Sequence, residues 1–172
     1  MNIKPLIESW LTNPKPSRVQ EAKGLANLYK YIDPEFQTEE ERFKLYFGNS
    51  KVTKNPDGTL DVDGNVDLRD KGFKELPFKF GRVSGNFLCD NNKLTSLAGA
   101  PREVDGDFFC SVNQLTTLAG APREVGGSFS CYINQLTSLA GAPVKVDGGF
   151  FYHSNKLTDV EVKRYLKSIE KG

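Results

Sequence analysis

The chain has 172 residues, with 23 lysines and arginines against 22 aspartates and glutamates. So even a balance excludes a strong global pull towards nucleic acid or an anionic membrane, and no apolar run approaches the roughly 20 residues that a membrane-spanning helix needs. The length suffices for one extended domain with terminal caps.

Residues 1–50 read as a helical N-terminal cap. Leu6, Ile7, Trp10 and Leu11 suggest a short helix, stopped by Asn13-Pro14-Lys15-Pro16. Ser17 with Gln20 forms a capping box for a second helix, and Thr38 with Glu41 forms one for a third. The start, MNIKPLIESW, lacks a basic stretch followed by an apolar run, so no secretory signal is expected and the chain is expected in the cytoplasm.

Residues 51–158 read as a hairpin followed by a repeat solenoid. Val52 and Thr53 lead into the turn cluster Asn55-Pro56-Asp57-Gly58, and Leu60 and Val62 return. From Val62 a single pattern recurs: VSGNFLCDNNKLTSLAGAPRE begins at Val83, VDGDFFCSVNQLTTLAGAPRE at Val104 and VGGSFSCYINQLTSLAGAPVK at Val125. Val62, Val83, Val104, Val125 and Val146 are each 21 residues apart. A fixed period of this size marks a stacked solenoid, in which neighbouring coils bury a face that one coil cannot bury alone.

Within a repeat, Val104, Gly106, Phe108 and Cys110 alternate with Asp105, Asp107, Phe109 and Ser111. That period of two predicts one strand with an apolar inner face. Columns then form from Phe87, Phe108, Phe129 and Phe150, from Leu94, Leu115, Leu136 and Leu157, and from Asn92, Asn113, Asn134 and Asn155. The asparagine amides are expected to satisfy backbone groups that the turn leaves unpaired. Cys89, Cys110 and Cys131 share an inner column, which reads as a ladder of small buried hydrophobes rather than a metal site or a disulfide. Residues 159–172 read as a C-terminal capping helix, opened by Thr158 with Glu161 and carrying Val162, Leu166 and Ile169 on one face.

The string F-x-C-x-x-N-x-L-T-x-L resembles the leucine-rich-repeat pattern L-x-L-x-x-N-x-L-x-x-L, with Phe and Cys in two aliphatic slots. The G-A-P-x-x-V segment is similar to short leucine-rich-like repeats of bacteria and of their large phages. The likeness covers roughly residues 62–158. It implies an α/β solenoid, a stack of about five parallel strand coils between the two helical caps. It also implies protein binding on the strand face, with no catalytic residue.

The outward residues vary from coil to coil on a constant frame. Leu88, Phe109, Tyr132 and Phe151 are expected there as apolar anchors, with Asp90, Asp105, Asp107, Asp147 and His153 beside them, which is the composition of a protein-interaction surface. Replacing Phe109 and Phe151 with alanine is expected to weaken a complex without unfolding the chain. A phage-type inhibitor or modulator of a host enzyme or defence complex fits this reading. The alternative is a nucleic-acid-binding accessory using the basic line Arg82, Arg102, Arg123 and Lys145 with the C-terminal helix, although Glu103 and Glu124 offset that charge. Asp90, Ser111 and His153 align in one outward row, but Ser111 and His153 stand two coils, about 9–10 Å, apart by the strand spacing. A working pair needs about 2.6–3.2 Å, so no enzyme is expected, and neither metal nor cofactor.

Overall fold

The structure is a computed structural model that describes residues 46–48 and 50–169. The chain divides between residues 45 and 46, and the repeats lie in the unit from 46 on. The helices expected before Leu45 fall outside the described residues.

The hairpin comes first. Strand β1 (Lys51–Lys54) pairs antiparallel with β2 (Leu60–Asp63), across a turn in which the Gly58 N–H donates to Asn55 O at 2.9 Å. From β2 onward each coil contributes one short strand to each of two sheets. The first sheet continues with β4 (Phe80–Val83), β6 (Glu103–Val104), β8 (Glu124–Val125) and β10 (Lys145–Val146). The second holds β3 (Val66–Asp67), β5 (Phe87–Leu88), β7 (Phe108–Phe109), β9 (Phe129–Ser130) and β11 (Phe150–Phe151). All pairings after the hairpin are parallel, with Phe87, Phe108, Phe129 and Phe150 in register. The unit from residue 46 on is therefore a β-solenoid of about four turns rather than the α/β stack of about five coils expected. Within the coils the described residues form strands and turns, and the helix α1 (Asp159–Ile169) follows the last of them.

The single strand expected from Val104 to Ser111 is two strands meeting at a corner. The inner residues still alternate through it, because Val104, Phe108 and Cys110 are all buried and Gly106 takes the inner slot of the bend. A Cβ on Gly106 would run into Asn86 Oδ1 and lie 2.9 Å from the backbone carbonyl of Gly85. The glycine lets successive coils approach at the corner. Polar side chains close it: Asn65 Oδ1 accepts the Asn86 N–H, Asn86 Oδ1 the Asp107 N–H, and Asp107 Oδ1 the Ser128 N–H, at 2.7–2.8 Å.

The core is a stack of matched layers. Phe87, Phe108, Phe129 and Phe150 lie with ring centroids 5.2–5.4 Å apart and planes within 14° of parallel. Phe87, Phe108 and Phe129 are fully buried, which contributes about 1.5–3 kcal/mol for each, and Phe150 is half-buried. The leucine column packs beside them, and Cys89, Cys110 and Cys131 are free and buried. Burial pushes the Cys131 thiol up to about 12, and those of Cys89 and Cys110 well above their usual value. At the far corner the asparagine column forms the expected ladder. The Asn134 amide donates to the carbonyls of Cys110 and Cys131 at 3.1 Å and accepts the Leu115 N–H at 3.0 Å. Gly99, Gly120 and Gly141 then turn the chain with φ near +90°, a region open to glycine.

Helix α1 covers the last coil chiefly through a residue outside the expected stripe, of which Val162 is half-buried. Leu166 is 41% exposed, whereas Tyr165 is buried, with its ring centroid 4.8 Å from that of Phe150 and its hydroxyl donating to Pro143 O at 2.8 Å. The helix continues the aromatic column by one ring. Thr158 caps its start, accepting the Glu161 N–H at 3.4 Å.

Candidate protein-docking face

The two-sheet geometry sorts the expected site residues into two groups. Asp105, Asp107 and Asp147 sit at or beside the corner between the sheets, whereas Leu88, Asp90, Phe109, Tyr132, Phe151 and His153 belong to the outer side of the second sheet and its continuation. The corner carboxylates have partners within the molecule. Asp105 Oδ2 lies 2.6 Å from Arg82 Nη2, and Asp147 Oδ2 lies 3.5 Å from Lys145 Nζ. Asp107 holds the backbone of the next coil, as described above. Both partners of each of the two ion pairs are solvent-exposed, so such pairs contribute at most about 1 kcal/mol each.

The second sheet presents a different surface. In its register Leu88 lies beside Phe109, Phe109 beside Ser130, and Ser130 beside Phe151. Ser130 and Ser111 have outward parity, yet they are only 4% and 1% exposed, and their hydroxyls meet at 2.8 Å. Both are short and stand between larger neighbours, which close over them. The hydroxyls satisfy one another, so their burial is not costly. Two aromatic side chains remain in solvent, with Tyr132 37% exposed and Phe151 42%. The His153 ring lies 6.4 Å from Tyr132 and 6.3 Å from Phe151. Leu88 and Phe109 are half-buried at the same face.

Two members of this surface are not among the residues expected from sequence. Val112 and Ile133 occupy the position where earlier coils carry Asp70 and Asn91, and all four have φ between 51° and 60°. That left-handed conformation suits Asp and Asn and disfavours β-branched side chains. Ile133 nevertheless projects into solvent, 46% exposed, next to Tyr132. The signal was present in the column Asp70, Asn91, Val112, Ile133, Ser154, where polar turn residues give way to apolar ones.

At the other end of the face, Arg69 donates to Asp67 through Nε at 2.9 Å and Nη2 at 2.6 Å, holding that carboxyl below its usual range. Asp90 follows in the same row. Its Oδ1 accepts the Ser111 N–H at 3.1 Å, and burial raises its pKa. Ser111 Oγ is thus engaged by Ser130, and Tyr132 stands between it and His153 in the row. Among the described residues no group of three or more His, Cys, Asp or Glu side chains is placed to hold a metal ion. No helix among them is long and apolar enough to cross a membrane.

The basic line divides as well. Arg82 is tied to Asp105 and lies 3.9 Å from Glu103, and Lys145 faces Asp147. Comparison of the chain with family models, curated proteins and solved structures finds no match.

Proposed function

We propose that this chain is a non-catalytic interaction module that docks a protein partner on the outer face of its second sheet. The observation that carries this is the exposure of Phe151 on β11 and of Tyr132 just after β9, both anchored by the stacked phenylalanine column. Anchors positioned in advance lose little ordering entropy on binding, and large aromatic side chains supply most of the energy at such surfaces. Leu88, Phe109, Ile133 and His153 extend the contact.

The likeness of the repeat to leucine-rich-like repeats of bacteria and their phages adds to this reading. It makes a host enzyme or defence complex the partner class to seek, with the chain acting as its inhibitor or modulator in the cytoplasm. Three buried free thiols suit a reducing compartment. A nucleic-acid reading draws less support, because Arg82 and Lys145 are already paired with carboxylates.

The test is a pull-down from lysate of the native host, comparing the wild-type chain with a Tyr132→Ala/Phe151→Ala double variant. Both residues are half-exposed, so the variant should melt close to wild type while losing its partner. Retention of the same partner by a folded double variant would remove this face from consideration.

A further inference from the structure

The carboxylates around the docking face are not equivalent. Asp105 and Asp147 are paired with cations, and Asp67 is closed off by Arg69. Asp90 alone combines three properties: it lies on the second-sheet face, it is half-buried, and no ion pair among the described residues includes it. Its carboxylate accepts backbone N–H groups, that of Ser111 at Oδ1 and its own, and no side-chain hydrogen bond to it is found among the described residues. Arg69, beside it in the row, already makes a two-point contact with Asp67.

Resting on the docking reading, we propose that the occupant of this face is an extended protein segment carrying an arginine, whose guanidinium pairs with Asp90 while apolar neighbours on the segment cover Tyr132, Ile133 and Phe151. In the row Asp90, Ser111, Tyr132, the serine is buried and adds no exposed side chain between the other two. Asp90 and Tyr132 are two strand spacings apart, about 9–10 Å. A planar guanidinium can pair with the carboxylate through a fork of donors and also lie against an aromatic ring, which a lysine ammonium does less well. Burial has already desolvated the Asp90 carboxylate, which costs stability in the free protein and strengthens a charge-assisted bond once a cation arrives. An acidic segment would meet repulsion from Asp90, and from Asp107 at the corner.

Selection of phage-displayed random dodecapeptides on the immobilised full-length chain tests this. Enriched peptides should carry arginine next to aliphatic or aromatic residues. A synthetic peptide from that set should bind Asp90→Asn about tenfold or more weakly, and citrulline in place of its arginine should cost a similar factor. The two changes together should cost little more than either alone. The asparagine retains an oxygen for the Ser111 N–H, so the variant should fold, which a thermal melt checks. Binding that is unchanged in Asp90→Asn but lost in Tyr132→Ala/Phe151→Ala overturns the arginine-bearing partner and leaves the docking face standing. Binding insensitive to both sets of changes overturns both. Enrichment of acidic or arginine-free peptides, or of none above background, also counts against the proposal.

Discussion

Asn113 reaches across a coil boundary to Leu94: its Oδ1 accepts the Leu94 N–H at 2.9 Å, while its Nδ2 lies 3.1 Å from the carbonyls of Cys89, Cys110 and Ser111. One buried amide thus serves backbone groups of two coils. Asn113→Ala strands the Leu94 N–H and removes donors from buried carbonyls, so a loss of about 2–4 kcal/mol is expected. Asn113→Asp should be worse, since it sets a carboxylate oxygen against those carbonyls. Urea unfolding of both variants measures the difference, and a cost below that of an exposed asparagine such as Asn91 would show that water replaces the ladder.

Much of this ladder was legible from the 21-residue period, because columns of identical residues need no knowledge of coil shape. The valine, phenylalanine, leucine and asparagine columns all follow from it. The corner at Asp105–Asp107 was not legible, because alternation continues unbroken through the bend. A glycine fills the inner slot there whether the chain runs straight or turns. Ser111 and Ser130 have outward parity, and only neighbours one coil away bury them. Tyr165 was hidden by its hydroxyl: a stripe of Val162, Leu166 and Ile169 looks more apolar, but the exposed end of the phenylalanine stack calls for a ring.

Val112 and Ile133 bring local conformation into conflict with side-chain type. Replacing either with Asn should stabilise the chain by about 1 kcal/mol, since a left-handed β-branched residue costs about that much. If the two serve the docking face, the same substitutions should weaken binding of the selected peptides. Thermal melts and titrations of each variant report the two effects separately. A destabilised Ile133→Asn would show that its packing outweighs the backbone cost.

The three cysteines set an alkaline limit. Their thiols are held neutral in the fold, and Tyr165 is likewise pushed up to about 12. Above the ordinary thiol value of 9.0 the unfolded chain releases protons that the folded chain keeps, so stability should fall as pH rises through 9. For Cys131 that loss continues to about pH 12. Only the thiolate attacks a disulfide reagent, so the native protein at pH 8 should react at its unfolding rate. Rapid reaction of three thiols without denaturant would mean that the coil interior opens far more readily than its packing implies.

Asp90 should reveal the cost of holding a carboxylate on an apolar face. Burial raises its pKa above the ordinary 3.8, with Arg69 lowering it and Asp67 raising it through smaller effects. Between the ordinary value and the raised one, the folded chain binds more protons than the unfolded chain, so this group's effect on stability becomes less favourable as pH rises through that window. Above it the penalty is complete. Asp90→Asn keeps the acceptor for the Ser111 N–H and removes the charge, so it should be more stable than wild type at pH 7, with the gap closing as pH falls below about 4. Every other carboxylate is common to both proteins, so burial of Asp90 sets the size of the gap, offset by the backbone N–H bonds to its carboxylate and modified by Arg69 and Asp67 as charged neighbours. Urea melts of the pair from pH 3 to pH 8 give the profile. A variant less stable than wild type at pH 7 would mean that the charge-assisted bonds from the Ser111 and Asp90 N–H groups, with attraction to Arg69, outweigh burial, and Asp90 would then be a structural charge rather than one held ready for a partner's cation.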